Sequence, residues 1–64
     1  MTFTVDFEQE EDGRWIAEVL ELPGVMVYGA TKEEAQALAL RVLAERLEHG
    51  EMPAEPINIL FAAA

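Results

Sequence analysis

Asp6, Glu8 and Glu18 are the side chains of this 64-residue sequence whose types and spacing come nearest to chemistry. If the strands that carry them pair so that Asp6 faces Glu18, with Glu8 adjacent, their carboxylates gather on one sheet face, the oxygen-rich set that a hard divalent cation prefers. Metal-assisted hydrolysis also needs a nucleophilic water and a pocket that excludes bulk solvent, and so short a chain makes too thin a pair of layers to build one. The alternating acids are therefore read as a solvated strand face, and no metal or cofactor is expected. His49 is the only histidine. It has no evident Ser or Cys nucleophile and no second ligand at metal spacing, and its place in a last helical turn suits the helix dipole when protonated. No catalytic residue is assigned, and the chain is read as a non-enzyme.

The elements that must position these residues have little material to work with. A chain of this size removes only about 60% of its unfolded surface from water on folding, so one domain spanning residues 1–64 is expected, of marginal stability. The sequence has no cysteine, which removes disulfides and thiolate metal sites as supplements and leaves association with a partner or with itself. Four Lys and Arg against 13 Asp and Glu give a formal net charge of -9. Such a chain repels phosphate backbones and anionic lipid headgroups, so direct nucleic-acid binding and membrane binding are excluded, and a basic protein suits it better. Arg14, Lys32, Arg41 and Arg46 are scattered among acids and read as solvated pairs. No apolar stretch approaches the roughly 20 residues that span a bilayer, and the amino terminus lacks a basic region followed by an apolar one. A cytoplasmic chain is the expectation.

Alternation organises the first half. Over residues 2–10, Phe3, Val5 and Phe7 fall on one face and Thr4, Asp6 and Glu8 on the other, the period of a half-buried strand. Glu11, Asp12 and Gly13 make a short loop, and residues 14–20 return as an antiparallel partner. With Glu10 against Arg14, Phe7 meets Ala17 and Val5 meets Val19; a slip of one residue would set Phe7 against Glu18. Leu22, Pro23 and Gly24 reverse the chain, and residues 25–29 form a third strand closed by Gly29. Thr31 to Glu34 reads as a capping box, with Glu34 reaching back to the N–H of the cap residue. Ala35, Leu38, Ala39, Val42, Leu43 and Leu47 then recur as one stripe of a helix over residues 32–49, ended by Gly50. Met52 to Pro56 is a linker broken by proline, residues 57–61 make a fourth strand, and the closing alanines fray. The fold class is α+β in the order β-β-β-α-β, an antiparallel meander plus a fourth strand with one helix on one sheet face.

A helix on the face of Phe3, Val5, Phe7, Trp15, Ala17 and Val19 leaves Ile16 and Leu20 on the other face among the acids. Met26 and Tyr28 join them in one register of the third strand and enter the core in the other. A face so apolar on so small a domain points to self-association or a partner. Ile16, Leu20, Met26 and Tyr28, with Asp6, Glu8 and Glu18, are the candidate partner- or dimer-binding residues. Trp15 is read as core; Tyr28 could serve as an anchor. A homodimer or higher oligomer, formed at a sheet edge or through this outer face, is expected.

The run Asp12 to Ala17, the turn Glu21-Leu22-Pro23-Gly24-Val25 and the stretch Tyr28 to Ala35 leading into an Ala- and Leu-rich helix resemble the HicB-like antitoxin family over residues 3–50, and residues 57–61 match its later strand. The resemblance implies a partial ribonuclease H-like fold that binds and masks a small basic HicA-type, mRNA-cleaving toxin in a type II toxin-antitoxin system. Members of that family commonly carry a further carboxy-terminal segment that binds the operator. Here a strand and three alanines follow the linker, so operator binding is not expected. Two rival readings stay open, an orphan oligomeric structural protein with the same fold and a residual metal-dependent nuclease using Asp6, Glu8 and Glu18.

Overall fold

The computed structural model describes residues 1–50 and 56–62. Its elements run in the order β1 (Thr2–Gln9), β2 (Trp15–Val19), β3 (Met26–Gly29), α1 (Lys32–His49) and β4 (Asn58–Phe61). The alternation in β1 does what it predicts, burying Phe3, Val5 and Phe7 and leaving Asp6 and Glu8 in water. β2 pairs antiparallel with β1 in the expected register, Val5 with Val19 and Phe7 with Ala17. The loop between them closes through Glu10 N–H to Arg14 C=O at 2.7 Å and Gly13 N–H to Glu10 C=O at 2.9 Å. Gly13 supplies the left-handed residue of that loop at φ 94°.

At the next reversal the Val25 N–H returns to the Leu22 carbonyl at 3.1 Å, with Pro23 and then Gly24 at φ 88° between them, the arrangement of a type II turn. β3 pairs antiparallel with β2, matching Ile16 with Tyr28 and Glu18 with Met26. This register resolves the choice left open by the sequence. Val25 is buried and Val27 half-buried on the core side, whereas Met26 and Tyr28 stand 49% and 45% exposed on the other. β4 lies on the far side of β1 and runs parallel to it, so the four-stranded mixed sheet has the order β3-β2-β1-β4.

The helix begins where the sequence places it, with the Thr31 hydroxyl accepting the Glu34 N–H at 3.1 Å. Glu34 reaches back one residue further than the capping box predicts, to the Ala30 N–H at 3.3 Å. Gly50 ends the helix with its N–H on the Arg46 carbonyl, but from extended backbone at φ -110° rather than a left-handed cap. Ala35, Ala39 and Leu43 carry the buried stripe, with Val42 and Leu47 half-buried at its flanks. These small side chains let α1 lie close over β2 and β3; it barely reaches β1 and makes no close backbone approach to β4. Trp15, read as core, is only half-buried at the margin of this layer. The linker at residues 51–55 and the final alanines at 63 and 64 lie outside the described residues.

Gly29 sets the distance between the layers. A Cβ at this position would stand 2.5 Å from the Ala35 amide nitrogen and 3.0 Å from its Cα, inside any tolerable contact with backbone that cannot swing away. Overpacking of this kind typically costs about 1–3 kcal/mol. Gly29→Ala should therefore lower the melting temperature by about 4–8 °C for each kcal/mol lost in a domain of this size. Thermal unfolding followed by circular dichroism checks this, and an unchanged midpoint would contradict the close approach.

Candidate protein-interaction face

The face of the sheet turned away from α1 is built from three cross-strand rows. Glu8, Ile16 and Tyr28 form one, Asp6, Glu18 and Met26 the next, and Leu60, Thr4 and Leu20 the last. All seven residues singled out from the sequence lie on this face, and the structure adds Leu60, 56% exposed beside Thr4. Leu60 escapes a reading of the sequence because Asn58-Ile59-Leu60-Phe61 has no apolar and polar alternation to tell its faces apart.

Asp6 and Glu18 are direct cross-strand partners, as the register requires. Opposed like charges on an antiparallel pair are destabilising, and among the described residues no ion pair reaches Asp6, Glu8 or Glu18. Arg14, Lys32 and Arg41 have partners of their own, and of these Arg14 lies over a residue of this face. Arg14 donates from Nε to Asp12 Oδ2 at 2.8 Å and lies 5.2 Å from the centre of the Tyr28 ring, while Arg41 approaches Glu45 at 3.7 Å. Lys32, expected as a solvated cation, instead caps aromatic rings on the core side, 4.9 Å from Phe7 and 5.8 Å from Trp15. The outer face is thus acidic and apolar at once. Among the described residues no group of three or more His, Asp or Glu is gathered closely enough to hold a metal ion, so Asp6, Glu8 and Glu18 are neighbours without being a ligand cluster.

One end of the face is held by a contact that the sequence reading missed. Glu21 accepts the Thr4 N–H at 2.6 Å and the Thr4 hydroxyl at 2.8 Å, taking the place of a backbone acceptor just beyond the end of β2. The Leu20 N–H meanwhile donates to the Thr4 carbonyl at 3.0 Å, so Leu20 stays in line with the sheet past its last ladder residue. A carboxylate followed by Leu-Pro-Gly is the signal that was available. The Thr4 backbone hydrogen bond, with its hydroxyl second, holds the Glu21 carboxyl below its ordinary 4.5. At the hairpin tip the Arg14 backbone N–H does the same to Asp12, against a smaller opposing effect of burial.

Four strands and one helix define a small α+β chain whose outer sheet face sets exposed apolar side chains beside acids. No family model and no curated protein matches the chain. Among solved structures it is similar to the crystal structure of hypothetical protein TTHA1013 from the extremely thermophilic bacterium Thermus thermophilus, with 30% identity and a TM-score of 0.76 over 100% of this chain and 93% of that one. At that identity over nearly the whole of both, the chain belongs to the same family as that protein.

Glu21 gives a pH dependence with a definite sign. A carboxyl whose folded pKa is lowered stabilises the fold fully above its ordinary value of 4.5, and the contribution is lost as pH falls through the lowered folded value. Glu21→Gln should therefore flatten the acid limb of the stability curve between about pH 5 and pH 3. Urea unfolding across that range checks it, and parallel curves for the two proteins would show that the Thr4 contact contributes nothing.

Proposed function

We propose that this chain is a non-enzymatic protein-interaction module that binds and masks a small basic protein across the outer face of its sheet. The observation that carries the reading is the opposed pair Asp6 and Glu18, with Glu8 one row away, joined by no ion pair among the described residues and flanked by exposed Leu20, Met26 and Tyr28. A basic partner would neutralise acids that repel one another in the free chain, while the apolar side chains give it area to bury. The net charge of -9 would steer such a partner toward the chain.

The resemblance of residues 3–50 to HicB-like antitoxins names the partner class, a HicA-type toxin. Charge complementarity and the sheet-and-helix order are the physical support for it. The rival nuclease reading needs a convergent oxygen set, which the neighbouring placement of Asp6, Glu8 and Glu18 does not favour.

Co-expression with a short basic double-stranded-RNA-binding-like protein encoded beside this chain should relieve the growth arrest that protein causes, and the two should co-purify. Tyr28→Ala should weaken the complex by about 30-fold, the loss of roughly 2 kcal/mol typical of an aromatic anchor. Glu18→Lys should slow association and reduce its salt dependence. Unrelieved arrest without co-purification removes the antitoxin role; unchanged affinity in both variants removes this face.

A further inference from the structure

β4 is the least protected of the described strands. It is an edge strand, every residue in it is exposed, and Asn58-Ile59-Leu60-Phe61 carries no charge, proline or bulge to discourage pairing. Its hydrogen bonds to β1 use alternate residues, with the Asn58 N–H on the Met1 carbonyl at 2.8 Å and the Ala62 N–H on the Val5 carbonyl at 2.9 Å. In a parallel ladder this phase turns the N–H and C=O groups of Ile59 and Phe61 away from β1, toward the open edge. The other edge, β3, is guarded differently: α1 packs over it and Arg14 lies across Tyr28.

Behind β4 the sheet is also uncovered. Ile59 and Phe61 point to the helix side, opposite Phe3 and Val5, yet stay 37% and 47% exposed because α1 sits over β2 and β3. Between the second half of α1 and β4 opens a cleft of about 270 Å³ lined by Leu40, Leu43, Ala44, Leu47, Ile57 and Ile59. Among the described residues no ionisable side chain lines it. On a chain of net charge -9, this makes the cleft and the edge beside it a surface where two copies can meet without setting acid against acid.

We propose that the free edge of β4 and the adjoining cleft receive the same surface of a second copy of this chain, β4 against β4 and antiparallel. Strand direction, face and hydrogen-bond phase agree on such a pairing. With Leu60 facing its own counterpart about a two-fold axis, Ile59 of each copy meets Phe61 of the other, and the outward N–H and C=O groups of both residues are satisfied. Both helices then lie on the same side of one continuous sheet, and the Ile59 and Phe61 side chains of the two copies close over the apolar ground between them. The interface is isologous and therefore closes. It leaves the acidic outer face in water and does not depend on the partner proposed for that face.

The sequence has no cysteine, so a single introduced thiol reports the geometry without ambiguity. Leu60 and its counterpart form a non-hydrogen-bonded antiparallel pair, with Cα atoms about 4.5 Å apart, within the range of about 4.4–6.8 Å that a disulfide spans. Purified Leu60→Cys should oxidise rapidly to a covalent dimer, Met26→Cys should not, and the parent chain should sediment at twice its 7.1 kDa mass. Ile59→Lys should sediment as a monomer with unchanged circular dichroism. Should that variant unfold, the two cysteine variants decide the question alone. A parent chain that stays at 7.1 kDa at high concentration, a folded Ile59→Lys that remains dimeric, or Met26→Cys crosslinking as fast as Leu60→Cys would each overturn the proposal.

Discussion

One helix is narrower than the sheet it covers, and the rest of the molecule follows from that mismatch. A helix with its side chains is about 10–12 Å across, whereas strands spaced by about 4.8 Å make a four-stranded sheet wider than that. The close approach of Gly29 to Ala35 decides which part is covered, drawing α1 toward β3. Ala35, Ala39 and Leu43 then seal Val19 and Val25 almost completely. The uncovered remainder, Ile59 and Phe61 on β4, is what a wider layer would have buried.

How much of this was legible depends on whether polar residues marked the faces. β1 alternates without exception, so its faces and its register against β2 could be read directly, including the meeting of Asp6 with Glu18. Val25-Met26-Val27-Tyr28 is apolar throughout, and no count of hydrophobic residues could say which pair turned inward; the hydrogen bonds of the turn before it settled that. The fourth strand was legible as a strand, but its parallel place beside β1 depends on how far the chain travels between α1 and the sheet. Helix limits were the clearest of all because Thr31 and Gly50 mark them. The cap itself differed in detail, since Glu34 found Ala30 within reach.

Charge is divided as unevenly as burial. The cations that the described structure engages lie at the hairpin tip, where Arg14 also covers Tyr28, on the helix surface and over Phe7 and Trp15, and none of them forms an ion pair with Asp6 or Glu18. Glu21 shows the alternative use of an acid, since its carboxylate is satisfied by two donors of Thr4 and takes over the work of a backbone carbonyl. Acids of one chain thus take two places, as local acceptors that finish a strand and as charge without an ion-pair partner among the described residues on the outer sheet face.

The place of β1 between β2 and β4 also carries a consequence for how the molecule forms. β2 reaches β1 through a tight loop, a closure on the scale of microseconds. β4 must return across most of the chain, as the Met1 ammonium bonding the Pro56 carbonyl 55 residues away makes plain. Loop-closure entropy of that span is met before any contact rewards it. During synthesis the strand made first is the last to be fully paired, and β1 waits on the ribosome with one flank bare until the far end of the sheet emerges. The second flank of β1 is thus closed by the most distant contact in the described fold.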